Sequence, residues 1–208
     1  MPQELLDSTL RRDPTNLLQY AGTGHRASPV NIRPATIHDV PAMQAVINSH
    51  AELGKMLFKS LAQLYEDIRD FAVCEIEGKV VGVVGLAVIW ADLAEVRSLA
   101  VDNGYMGRGI GRRLVEWCAA EARRLHIRRL FSLTYEQAFF EKLGFVVVEK
   151  DSLPLKVWSD CVRCPKRDNC DEIAMVRVLE DVPPVTGPAA DPTPKGVHIP
   201  VLPPGFDD

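Results

Sequence analysis

Between Gly109 and Leu125 the apolar residues Ile110, Leu114, Cys118, Ala122 and Leu125 recur at three- to four-residue intervals, while Arg112, Arg113, Glu116, Arg123 and Arg124 fall mostly elsewhere on the wheel. That spacing predicts a helix with one buried stripe. Upstream, Val30 to Arg33 alternates as a short strand that Pro34 stops. Thr36 or Asp39 can cap a helix running to about His50 with Val40, Met43, Val46 and Ile47 inward. Ser60 can cap a second helix carrying Leu61, Leu64, Tyr65 and Ile68 on one face. Phe71 to Ile76, a turn at Glu77-Gly78-Lys79 and the β-branched run Val80 to Trp90 read as an antiparallel hairpin whose second arm is buried on both faces. Val96 to Val101 and Arg129 to Thr134 make further strands, and Glu136 to Leu143 a short helix closed by Gly144. Phe145 to Val148 and Ile173 to Leu179 complete the pattern.

Both ends differ in character. Residues 1–29 hold a short helical stretch (Gln3 to Leu10) and then Asp13-Pro14 and Gly22-Thr23-Gly24, the composition of an extension. Residues 181–208 hold eight of the chain's 15 prolines, which predicts irregular structure. The segment between, 30–180, has the size and apolar content of one domain.

A net charge of −4 and a pI near 5.8 give no global attraction to nucleic acid or an anionic membrane. No apolar run reaches the roughly 18 residues needed to span a bilayer, and no basic-then-apolar leader opens the chain, so a cytoplasmic protein is expected. Cys74 and Cys118 lie in apolar runs and read as reduced core residues. Cys161-x-x-Cys164 and Cys170 have half of a zinc-site spacing; with only three local sulfurs, reduced thiols are the expectation and no metal is assigned.

The chemistry concentrates in Asn103-Gly-Tyr-Met-Gly-Arg-Gly-Ile-Gly-Arg-Arg113, between a strand and a helix. Glycines at 107, 109 and 111 let backbone amides approach an anion at a helix start, where the dipole favours negative charge. A dinucleotide site would want a third glycine where Arg112 stands and an acidic residue at the end of the next strand, where Ser132-Leu-Thr134 stands. A P-loop would need Gly-Lys-Ser/Thr, which does not follow these glycines. A glycine-rich turn without a ligand is the plain alternative.

Element order and motif together point further. Leu99-Ala-Val-Asp-x-x-Tyr-Met-Gly-Arg-Gly-Ile-Gly-Arg-Arg-Leu114, supported by Phe140-Glu-Lys-Leu-Gly-Phe145, resembles the GNAT superfamily of acetyl-CoA-dependent N-acetyltransferases over about Asn31 to Leu179. The resemblance implies an α+β fold: a central, mostly antiparallel mixed sheet of about seven strands, flanked by helices and splayed between the fourth and fifth strands. Within that superfamily the chain is similar to the short N-acetylglutamate synthases. The supporting stretches are Ile32-Arg-Pro-Ala35, Leu57-Phe-Lys-Ser-Leu61, Leu93-Ala-Glu-Val-Arg-Ser-Leu-Ala-Val101, Leu133-Thr-Tyr135 and Lys156-Val-Trp-Ser-Asp-Cys-x-x-Cys-Pro165 leading to Cys170-Asp-Glu172.

What the resemblance implies is acetyl transfer from acetyl-CoA to the α-amine of glutamate, with acetyl-CoA as cosubstrate and no metal. Leu99, Ala100 and Val101 would hold the pantetheine arm and Met106 to Arg112 the pyrophosphate, with Met106, Gly107, Arg108, Gly109, Ile110, Gly111 and Arg112 each in contact; Phe139 and Phe140 would lie beside the arm. Leu99 would also supply the oxyanion donor through its backbone amide. Met106 stands where the family has Gln or Arg, and Phe140 where it often has a proton-donating tyrosine. An ammonium must lose a proton before it attacks, and strand alternation puts Glu95, Arg97 and Leu99 on one face, so Glu95 is the candidate base. Tyr135 is the candidate acid, with water as its rival. A dicarboxylic acceptor calls for cations, for which Arg33, Lys59 and Arg97 are candidates, with Ser98 and Thr134 adding hydroxyls. Rival readings are another amino acid, a polyamine or a protein N-terminus as acceptor, and an acyl-CoA sensor without turnover. A homodimer is compatible with the sequence.

Overall fold

The computed structural model describes residues 30–153 and 170–185. Its order is β1 (Asn31–Pro34), α1 (Val40–Ala51), α2 (Leu61–Glu66), β2 (Phe71–Ile76), β3 (Lys79–Trp90), β4 (Leu93–Val101), α3 (Ile110–Arg124), β5 (Arg129–Thr134), α4 (Gln137–Glu141), β6 (Val146–Val147) and β7 (Ile173–Val178). The strands form one mixed sheet in the order β1-β2-β3-β4-β5-β7-β6, antiparallel except where β4 and β5 run parallel. This is the expected α+β arrangement. Pro34, which cannot donate to a ladder, ends the edge strand β1.

Two apolar clusters cover opposite faces of the first four strands. Under α3, Ile110, Leu114, Cys118 and Ala122 pack on Val81, Val84, Leu86, Ala94 and Val96. Under α1, Val40, Met43 and Ile47 pack on Phe71, Val73, Val83 and Ala100. The β-branched run of β3 is buried on both sides from Val80 to Ala87, as its continuous hydrophobicity predicts, but Val88 is exposed and Ile89 and Trp90 are half-buried at the strand's end. Thr36 stands before the 3-10 turn that leads into α1, its amide donating to Asp39 Oδ2 at 2.7 Å; Asp39 occupies the N-cap position of α1, but its carboxylate turns back to Thr36 and Arg33 and makes no cap bond to the helix.

Several boundaries move. α2 stops at Glu66 and Ile68 enters a 3-10 turn (Ile68–Asp70), so the four residues expected on one helix face are divided; of them only Leu64 is buried, and Leu61 and Tyr65 are exposed. β4 starts three residues earlier than expected, at Leu93, because Leu93 to Glu95 pair with β3 and β5 at once. α4 is shorter, and Gly144 at φ 81° closes it: Phe145 N–H donates to Phe140 O at 3.1 Å and Gly144 N–H to Glu141 O at 3.0 Å, the paired bonds of a Schellman motif. β6 contracts to two exposed valines, because Phe145 turns into the core and stacks edge-on against Phe140.

The sheet splits between the fourth and fifth strands, as the family resemblance implies. β4 and β5 share only the pairs Leu93–Arg129, Ala94–Leu130 and Glu95–Phe131. Beyond them β4 follows β3 and β5 follows β7, opening a gap in the middle of the sheet.

Candidate active site

That gap is a cavity of about 840 Å³. β4 supplies Glu95 to Val101 along one wall; Ser132, Thr134, Tyr135, Phe139 and Phe140 form the other. Lys55, Met56, Leu57 and Lys59, from the loop before α2, and His50 from the end of α1 close one side. Lys150, Asp151, Cys170 and Glu172 complete the lining.

A bulge shapes the β4 wall. Ala100 opposes Val83 and Arg97 opposes Gly85, so Ser98 and Leu99 together face Val84, and Ser98 takes a φ of 51°. The extra residue breaks strict alternation. Glu95 and Arg97 share the face away from α3, but Leu99 and Val101 pack against the cluster beneath α3. The expectation that Leu99 shares a face with Glu95 and Arg97 is therefore corrected: all three line the cavity, but the Leu99 side chain lies on the opposite face of β4.

The candidate cations part company. Arg97, with 16% of its side chain exposed, lines the cavity, and its Nη2 meets Asp67 and Asp70 of the α2 turn at 3.0 Å each. Burial raises the Asp70 carboxyl above its ordinary range despite Arg97 and with some help from Asp67. Lys59 lines the cavity from a pinned backbone: its amide donates to Asn48 Oδ1 at 3.0 Å, and its carbonyl accepts from Gln44 and Asn48 at 3.1 Å. Arg33 is elsewhere. It lies outside the cavity lining, pairing with Asp39 at 2.7 Å and Glu75 at 2.6 Å, which removes it from the acceptor pocket. Its place on edge strand β1, opposite Val73 and one register step from Cys74, explains the error: these charges tie β1 to β2 and to the start of α1.

The glycine turn sits at the end of the cavity. Met106 and Gly111 line it, whereas Gly107, Arg108, Gly109 and Arg112 lie beyond. Gly107 and Gly109 both have φ near 75°, a conformation costly to any side chain, and the space where a Cβ would stand is open at each. The turn is braced by Asp102, whose Oδ1 accepts from the Gly104 amide at 2.9 Å and whose Oδ2 accepts from Lys79 at 2.9 Å; the Lys79 bond holds this carboxyl below its usual range. Arg108 stacks over Tyr105, 4.9 Å from the ring centre. Ile110 is a correction of detail: its side chain is buried in the core against Gly82, so only its backbone can face a ligand. Phe139 lies against Gly111, and Phe140, buried and T-stacked on both Phe139 and Phe145, is a core ring at the cavity edge.

Thr134 lines the cavity, its hydroxyl accepting from the Glu136 amide at 3.0 Å. His50, Lys55, Ser132, Glu136, Lys150, Asp151, Cys170 and Glu172 were not foreseen. The mixed apolar and basic loop Met56 to Ser60 signalled its own side of the pocket, but nothing local marks residues that arrive from strand ends distant in sequence. Cys161 and Cys164 lie outside the described residues, as do 1–29 and 186–208; the start of the C-terminal segment is described, with Asp181 pairing to Arg123 at 2.6 Å and Val182 buried in the core. Among the described residues no cluster of His, Cys, Asp and Glu is arranged to hold a metal, and no helix is long and apolar enough to cross a membrane.

The geometry has a counterpart among known proteins. Residues 67–147 match the acetyltransferase (GNAT) domain model. An uncharacterised N-acetyltransferase of Chlorobaculum tepidum is 40% identical over 153 residues, covering 74% of this chain and 99% of its own. The chain belongs to the GNAT acetyltransferases. The GNAT domain is also 39% identical over 136 residues to an amino-acid acetyltransferase of Mycobacterium tuberculosis, covering 64% of this chain and 77% of that one. In structure it is similar to a Mycobacterium tuberculosis protein solved with CoA, at TM-score 0.64 and 33% identity, covering 72% and 99% of the two chains. It is similar too to N-acetylglutamate synthase of Neisseria gonorrhoeae, solved with coenzyme A and N-acetyl-glutamate, at TM-score 0.67 and 30% identity, covering 73% of this chain and 35% of that one. The present GNAT protein is thus an acyltransferase with acetyl-CoA as cosubstrate. The gap beside β4, its bulge and the open glycine turn fit that molecule: an extended arm for the gap and a diphosphate for the turn.

Proposed function

We propose that this acetyltransferase acetylates the α-amine of an amino acid, that the amino acid is L-glutamate, and that the enzyme works in the cytoplasm at the start of arginine biosynthesis. The observation that carries the reading is one cavity whose lining includes Glu95 together with Arg97, Lys55 and Lys59. A substrate with two carboxylates and an ammonium needs cations for the former and a base for the latter. The naming of the Mycobacterium tuberculosis relative and the ligands of the Neisseria gonorrhoeae enzyme support the same choice.

In this reading the pantetheine arm lies along Leu99 to Val101 and the diphosphate on the amides of Gly107 to Gly111. Glu95, directly or through water, takes a proton from the ammonium, whose pKa lies near 8 in peptides. The neutral amine attacks the thioester carbonyl, a C–N bond forms, and the backbone amide near Leu99 donates to the developing oxyanion. The C–S bond then breaks, and the thiolate takes its proton from Tyr135 or solvent, since Phe140 has none to give. Arg97 is shared with Asp67 and Asp70, so it orients one carboxylate of the acceptor while Lys55 and Lys59 carry most of the uncompensated charge.

Thiol release from acetyl-CoA against a panel of amino acids and amines, with product masses, tests this. Release with glutamate above all others is expected. Release with alanine or spermidine and none with glutamate overturns the acceptor, and acetyl-CoA binding without release to any amine overturns turnover itself.

A further inference from the structure

Val101 sits where the sheet has come apart. It opposes Gly82 across β3, and the flanking Asp102 amide donates to Val81 O at 2.9 Å. In an antiparallel ladder a bond in that position marks Gly82 and Val101 as a pair that does not exchange its own hydrogen bonds. The N–H and C=O of Val101 therefore point away from β3, toward β5. There β5 bonds to β4 only as far as Glu95, so no strand among the described residues takes them. A backbone carbonyl in the wall of a cavity needs a donor, and His50 provides it, with Nε2 2.8 Å from Val101 O. A carbonyl oxygen only accepts, so Nε2 carries the hydrogen. His50 is 7% exposed, stands in the last turn of α1 and lines the same cavity as Leu99 and Val101. It reaches from the helix on one face of the sheet to the free edge of the split strand.

We propose that His50 is a positioning residue for acetyl-CoA. By holding the Val101 carbonyl, it fixes the open β4 edge from Leu99 to Val101 and keeps the Val101 N–H aimed into the gap, where an amide carbonyl of the pantetheine arm can accept it. It also takes up one of the two lone pairs of that carbonyl. The inference rests on the reading that the arm lies along this edge, and not on which amine is the acceptor.

The test is calorimetric binding of acetyl-CoA and of 3′-phospho-ADP, the nucleotide part that lacks pantetheine, to wild type, His50→Leu and His50→Gln. His50→Leu is expected to weaken acetyl-CoA about three- to tenfold, the worth of one hydrogen bond. Binding of 3′-phospho-ADP should stay unchanged, and His50→Gln, whose amide can reach the same carbonyl, should restore most of the loss. Equal weakening of both ligands, no weakening of either, or Gln no better than Leu overturns the role of His50. If wild type binds acetyl-CoA no more tightly than the nucleotide, the strand-edge reading itself fails and takes the proposal with it. Should His50→Leu not fold, His50→Asn, whose amide stops short of the carbonyl, reads the same contrast.

Discussion

Arg33 and Asp39 are joined by two parallel hydrogen bonds, Nη1 to Oδ2 at 2.7 Å and Nη2 to Oδ1 at 2.9 Å. Arg33 also reaches Glu75 on the neighbouring strand, at 2.6 Å. The guanidinium thus ties β1, β2 and the start of α1 together, at a distance from the acceptor cavity. Asp39→Asn is expected to lower stability by about 1–3 kcal/mol, because a half-buried guanidinium loses one of its two charged partners and keeps only Glu75. It should leave the KM of the acceptor unchanged. Chemical denaturation and steady-state kinetics check the two halves; a selective rise in acceptor KM would return Arg33 to the pocket.

The same pair has a pH signature. The hydrogen bond from Arg33 holds the Asp39 carboxyl below its ordinary range. Its contribution is present in full above the unfolded-state pKa near 4 and is lost as pH falls below that value toward the depressed folded-state one. The Tm difference between wild type and Asp39→Asn should therefore be largest at neutral pH and shrink at about pH 3 and below. A difference that grows on acidification contradicts the assignment.

Gly82 lies under the first turns of α3. A Cβ there would come within 3.0 Å of Ile110 Cγ2 and Leu114 Cδ1 and 3.2 Å of Cys74 Cβ. Gly82→Ala is expected to cost about 1–3 kcal/mol by overpacking and, because it displaces the helix that follows the glycine turn, to raise the KM of acetyl-CoA more than that of the acceptor. Thermal denaturation and both KM values check it; unchanged acetyl-CoA kinetics would show that the helix start does not set the diphosphate site.

Glu95→Gln preserves shape and hydrogen bonding while removing the base. Its kcat should fall about a hundredfold or more with little change in the Kd of acetyl-CoA. Pre-steady-state thiol release measures the chemical step. A near-normal rate would leave the ammonium to lose its proton to water unaided.

Arg97→Ala should raise the acceptor KM more than the acetyl-CoA KM, since the guanidinium lies on the Glu95 side of the bulge. Asp67 and Asp70, which share Arg97, would then face each other without it, so a loss of stability is expected alongside. The opposite KM pattern would take Arg97 out of acceptor binding.

Much of the fold was legible in the sequence because its signals are local. The apolar stripe from Ile110 to Ala122, the β-branched run of β3, the Ser60 cap and the glycine at 144 each state their element by spacing or by a backbone requirement. The glycine turn was legible for the same reason: the φ values of Gly107 and Gly109 are ones that only glycine takes cheaply. Boundaries slipped where a neighbour decides, as when Phe145 leaves β6 to stack on Phe140.

What the chain alone determined is therefore the element order, the glycine turn before α3 and the placing of Glu95 and Arg97 on one face of a strand, all set by residues within one or two turns of each other. Tertiary structure decided the rest. The bulge at Ser98 and Leu99 exists only against Val84, so alternation carried past it assigned Leu99 to the wrong face. Arg33 met its partners through the pairing of β1 with β2, and His50 met Val101 across 51 residues of sequence. An arginine reads the same in sequence whether it awaits a substrate or already holds two carboxylates; packing distinguishes them, because only the folded chain brings the countercharges within hydrogen-bonding distance.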